Sequence, residues 1–104
     1  MPWYEKIIAV HLAVTDAVSH AESMQLDRYF VWQEDGENAL LANNIHTERA
    51  VTGSTDLYTK TEFDPWKEDF EAALDAAGLP WNFESFQYEE DTGFYHYEWY
   101  WEVV

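Results

Sequence analysis

A chain of 104 residues has room for one domain and one core. Five Lys and Arg against 21 Asp and Glu leave a formal charge of −16, which excludes a binder working by phosphate neutralisation. Disorder is excluded by an apolar content of 47% and an aromatic content of 18%. The lack of Cys rules out disulfides and zinc–thiolate sites.

No apolar run approaches the roughly 18 residues of a membrane helix. The first residues read as an amphipathic segment rather than a basic-then-apolar leader. A soluble, acidic single domain over residues 1–104 is expected.

Tyr4 to Ser19 is predicted as the first helix. Its stripe is Tyr4, Ile7, Ile8, Val14 and Val18, with Leu12 beside them, and Pro2 suits the start. Arg28 to Glu34 (RYFVWQE) has strand composition, with aromatics on both faces, so it belongs inside a sheet. Asp35 to Asn44 (DGENALLANN) reads as a loop opened by an Asp-Gly turn signal. A long strand follows from about Ile45 to Lys60, with Gly53 the expected site of a bulge or bend.

The second helix is the clearest element. Asp64 is a good N-cap and Pro65 suits the first helical position. Trp66, Phe70, Ala73, Leu74 and Ala77 recur at helical spacing, and Gly78 supplies the stop. Trp81–Tyr88 and Phe94–Val104 then form a hairpin around Glu89–Gly93. In its last strand Tyr95, Tyr97, Trp99, Trp101 and Val103 share one side. Phe94, His96, Glu98, Tyr100 and Glu102 share the other. The predicted fold class is α+β, a two-layer sandwich. Its expected sheet is antiparallel and four-stranded (two hairpins), with two helices on one face.

Little in the sequence marks catalytic or metal chemistry. Glu89, Glu90 and Asp91 are adjacent at a predicted turn, where carboxylates point to water, and no paired general acid and base is marked. His46 with Glu48, and His96 with Glu98, share strand faces but supply no third ligand. His11 falls on the apolar stripe, as a core or interface histidine would. Neither a phosphate loop nor a nucleophile elbow is present. The expectation is therefore a protein that is not an enzyme and uses no cofactor or metal.

Two features remain. Six Trp, seven Tyr and six Phe exceed what one small core takes in, and interfaces favour such side chains. The acidity is uneven: residues 1–61 carry nine acids and four bases, residues 62–104 twelve acids and one base. That repulsion costs stability, a cost that makes more sense if the field has a use. An acidic face can imitate the phosphate array of DNA and occupy a host nucleic-acid enzyme, as an anti-restriction or anti-CRISPR inhibitor does. Alternatively it can line a passage that DNA slides through without sticking.

The order of elements resembles the tail terminator (tail completion) proteins of long-tailed bacteriophages and prophages. The stretches that carry the resemblance are Tyr29–Trp32 (YFVW), Gly53–Lys60 (GSTDLYTK), Asp64–Gly78 and Gln87–Val104 (QYEEDTGFYHYEWYWEVV). The resemblance implies a structural protein without an active site, capping the tail tube as a ring, a hexamer, and taking part in head–tail joining. Its implied partners are further copies of itself, the tail tube protein and the head–tail connector, while DNA passes through unbound and no membrane is involved. The implied location is the virion tail, and the host cytoplasm during assembly. Asp35 and Glu37 in the first loop, with Glu89, Glu90 and Asp91 in the hairpin turn, are the candidate tube or lumen contacts. Trp32 and Trp66 are the candidate contacts between subunits.

Overall fold

A computed structural model describes residues 2–39 and 49–104. Helix α1 spans Trp3–Leu12 and strand β1 Val18–His20; strands β2 and β3 span Arg28–Ala39 and Arg49–Thr59. Helix α2 spans Trp66–Ala76, and strands β4 and β5 span Trp81–Glu89 and Phe94–Val103. The strands form one five-stranded mixed sheet in the order β1-β2-β3-β5-β4. This corrects the expected antiparallel four-stranded sheet, because β1 joins the edge parallel to β2, with Val18 opposite Phe30.

The extra strand comes from a helix that ends early. Val14 and Val18 extend the apolar stripe on paper, but the helix closes at Ala13. Thr15 Oγ1 then accepts the Ala17 N–H at 3.0 Å. Ala21, at φ 67°, reverses the chain. Parallel neighbours normally need a crossover of about a dozen residues. Residues 21–27 suffice here because β1 is only three residues long.

Two β-bulges set the remaining registers. Glu34 faces Gly53 and Gly36 faces Thr52, which leaves Asp35 as the extra residue of β2. The bend expected at Gly53 thus falls on the strand opposite, and residues 35–39, expected to be loop, continue β2; residues 40–44 of that expected loop lie outside the described residues. In β4, Phe83 faces Trp99 and Ser85 faces Glu98, with Glu84 unpaired between them. That slip restores Trp81, Phe83, Phe86 and Tyr88 to one side despite their uneven spacing.

Both helices pack on one face of the sheet. Ile7 and Val10 of α1, with Phe70 and Leu74 of α2, meet Phe30, Trp32, Leu57, Trp99, Trp101 and Val103. The alternation expected in the last strand holds, with Tyr97, Trp99, Trp101 and Val103 all buried. Each indole N–H of the hairpin finds an acceptor: Trp81 on Asp75, Trp99 on Glu71 and Trp101 on Thr55. Tyr4 and Leu12, expected on the stripe, are exposed instead.

Helix α2 is fixed at both ends as its sequence requires. Asp64 Oδ1 accepts the Trp66 N–H at 2.9 Å. Gly78 at φ 71° lets its own N–H reach the Asp75 carbonyl and the Leu79 N–H reach that of Leu74, the paired closure of a Schellman motif. Asp64 also pairs with Arg28 and accepts the Thr59 hydroxyl. Burial alone raises the pKa of Asp64, but the bonds from Arg28, Trp66 and Thr59 outweigh it and hold the carboxyl below its ordinary range.

His11 is fully buried. Its Nδ1–H donates to the Ile7 carbonyl at 2.7 Å, so Nε2 accepts the Thr55 hydroxyl at 2.9 Å. Thr55 in turn accepts the Trp101 indole N–H at 2.8 Å. Burial pushes the His11 pKa down to about 4. An unfolded chain takes up this proton near its ordinary 6.5, so the neutral core stabilises the fold above that pH. The stability is lost as pH falls toward 4, by at most about 3 kcal/mol for a shift of this size. Urea unfolding of wild type and His11→Gln should give a stability difference that shrinks as pH falls from 8 to 4; a constant difference would count against a neutral His11.

Gly53 has no room for a side chain. A Cβ there would stand 2.5 Å from the Gln33 carbonyl and overlap the Trp101 ring. Since one of the obstacles is backbone, Gly53→Ala should cost at least about 2 kcal/mol, read as a lowered urea midpoint with an unchanged slope.

Candidate functional site: the uncovered acidic face of the sheet

With both helices on one side, the other side of the sheet has no layer over it among the described residues. Strand alternation decides what it shows: Thr52, Ser54, Asp56 and Tyr58 from β3, and Phe94, His96, Glu98, Tyr100 and Glu102 from β5. Asn82, Ser85, Gln87 and Glu89 of β4 continue it, and the bulge residue Asp35 stands at the β2 side with its carboxylate on the Thr52 hydroxyl at 2.6 Å.

Asp56 and Glu98 are directly opposed across β3 and β5, a like-charge pairing that opposes folding. His96 relieves part of it. Its Nε2 lies 2.7 Å from Asp56 Oδ1, its ring stacks on Tyr58 at 4.3 Å, and its Nδ1 lies 3.3 Å from Glu89 Oε2. Lys60 stands at the hairpin end, donating to the Thr92 carbonyl at 2.7 Å and lying 4.8 Å from the Phe94 ring.

One negative field acts on four groups of this face. Burial alone lowers the His96 pKa, yet the bond to Asp56 and the charges of Asp56, Glu89 and Glu98 raise it. Tyr58 is pushed up to about 12 by burial and by Asp56 and Glu89. Tyr100 is raised chiefly by Glu98 and Glu84, then by burial, Asp35 and Asp56. Glu98 is raised by burial and by Asp56, against the pull of His96. The raised phenols and carboxyl follow from burial together with crowded negative charge, and the raised imidazole from that charge acting against its burial. The His96 proton adds stability below its ordinary pH range, and that contribution fades as pH rises through the raised value.

The predicted contact residues fall in three places. Asp35 and Glu37 are exposed on β2. Glu89 ends β4 half-buried beside His96, while Glu90 and Asp91 are exposed in the turn. The two acidic groups are not brought together: Asp35 lies beside Thr52 and Glu89 near Tyr58, about 20 Å along β3 at its rise per residue. Trp32 is 4% exposed, in the core between Trp3 and Trp101. Trp66 is half-buried, stacked on Phe30 at 5.6 Å with the Arg28 guanidinium 3.7 Å from its ring.

Reading the sequence missed Asp56 and Glu84 as members of the acidic face. Their signal was the alternation Thr52, Ser54, Asp56, Tyr58, and the irregular aromatic spacing that betrays the β4 bulge. His46 and Glu48 lie outside the described residues. Among the described residues no group of three or more His, Asp or Glu side chains is placed to hold a metal ion. Beside Asp35 the face dips into an open groove of about 390 Å³, walled by Trp81, Asn82, Tyr100 and Glu102.

No protein-family model matches the chain, and no curated protein matches it. Among solved structures it is similar to a chain of the "Virion of native gene transfer agent (GTA) particle", with 14% of residues identical, 96% of this chain and 88% of that chain covered, and a TM-score of 0.49.

Proposed function

We propose that this chain is a structural, non-catalytic tail protein of a long-tailed phage or prophage. In this reading it caps the tail tube as a ring, a hexamer as in the proteins it resembles, and meets the head–tail connector above. Its uncovered sheet face is turned toward the DNA path. It belongs to the virion tail and assembles in the host cytoplasm.

The observation that carries the reading is the gathering of Asp35, Asp56, Glu84, Glu89, Glu98 and Glu102 on one sheet face. A duplex carries one charge per about 1.7 Å of its axis. A wall of carboxylates repels it over a screening distance of about 10 Å at 0.1 M salt. The duplex therefore slides past without lodging, whereas a basic wall would trap it. The order of elements that resembles the tail terminators supports the same reading.

Three outcomes test it. Added to growing tail tubes, the protein should give ring-capped ends of fixed length by electron microscopy; tubes that keep elongating would overturn the proposal. Because like charges oppose assembly, sedimentation should show association strengthening with added salt or magnesium. The variant Asp35→Lys/Glu84→Lys/Glu98→Lys should gain duplex DNA binding in a gel shift at about 0.15 M salt, where wild type shows none. A wild-type protein that instead binds a basic nuclease one to one, displaced by DNA and weakened by salt, would replace the ring with a DNA mimic.

A further inference from the structure

Strand β4 ends the sheet, and among the described residues no strand pairs its outer side. Nine residues long, it is an edge of the kind that folded proteins usually shorten, charge or cover. Its two faces differ in a regular way. On the helix side Phe83, Phe86 and Tyr88 are 38%, 50% and 50% exposed, and the last two pack on Tyr95 and Tyr97. On the other side Asn82, Ser85, Gln87 and Glu89 lead into the acidic face, where Asn82 donates to Glu84 at 3.4 Å.

We propose that the β4 edge is a docking site for an extended segment of a basic partner protein, which adds an antiparallel strand to the sheet. The two faces define that segment. A strand laid against β4 points alternate side chains to opposite sides, so one set meets Phe86 and Tyr88 and the other meets Glu84, Glu89 and Glu98. The segment alternates apolar and cationic residues. Main-chain bonds supply affinity in this mode and alternate side chains supply specificity. A second copy of this chain fits poorly, because residues 62–104 hold twelve acids and one base and would set carboxylate against carboxylate. The site does not rest on the ring reading: it needs only the edge and its two faces.

The test uses the full chain, isotope-labelled, and the synthetic peptide acetyl-Val-Lys-Val-Lys-Val-Lys-Val-amide. Two controls accompany it: the same peptide N-methylated at alternate backbone nitrogens, and the variant Phe86→Ser/Tyr88→Ser, which removes two half-exposed rings. Amide shifts centred on Trp81–Glu89, with binding weakened about tenfold or more by N-methylation and by the variant, are expected. N-methylated peptide binding within about twofold of the parent would overturn the proposal, since charge alone would then explain it. So would shifts centred on Asp35, Asp56 and the rest of β3 with Trp81–Glu89 unmoved.

Discussion

The buried carboxylate of Asp64 ties three elements together. Its side chain has no exposure, and it takes Arg28 from the start of β2, Thr59 from the end of β3 and the Trp66 N–H at the start of α2. A charge in that position is costly unless every bond is made, so the bonds fix where α2 begins and how it lies. From that start Phe70 and Leu74 reach Phe30 and Trp99, and Arg28 covers Trp66. The preceding residue bears the consequence: Phe63 sits at φ 54° with its ring in solvent, in a backbone region non-glycine residues seldom adopt.

Fixing both helices on one face leaves the opposite face to water, and a folded acidic chain must put its charge where water is. The carboxylates of α2 are partly taken up by bonds within the chain, with Glu71 and Asp75 accepting indole N–H groups. Those of the sheet are not relieved in the same way. Asp56 and Glu98 oppose one another directly, with one imidazole between several carboxylates. A sequence selected for stability alone would separate them, since Thr or Val at either position would serve a strand better. The retained repulsion is the physical reason to look for a use on this face rather than on the helices.

Much of this was legible in the residues. Asp64, Pro65 and Gly78 mark α2 because capping chemistry is local, and β5 reads cleanly because its alternation is unbroken. What escaped depended on partners distant in sequence. β1 is too short to carry a pattern, and it pairs in parallel across a loop shorter than general rules allow. The two bulges shift a register by one residue, which moves every later side chain to the other face. Trp32 reads the same from sequence whether it meets a neighbouring subunit or Trp3 and Trp101 of its own chain, and only the packing tells which.

The bulges also explain why the acidic face and the aromatic strip can share one strand. Were Glu84 paired as an ordinary strand residue, strict alternation from Phe83 would put Phe86 and Tyr88 on the acidic side and Ser85, Gln87 and Glu89 under the helices. With the bulge, β4 keeps its rings beside Tyr95 and Tyr97 and its polar residues beside His96 and Glu98. Taking Glu84 out of the ladder in a bulge thus sorts the edge into an apolar side and an anionic side over its whole hairpin half. A partner strand that lacks the matching alternation must either bury a charge against Phe86 or face its apolar groups to carboxylates. The edge therefore selects by pattern as well as by charge, a selectivity that neither face would have alone.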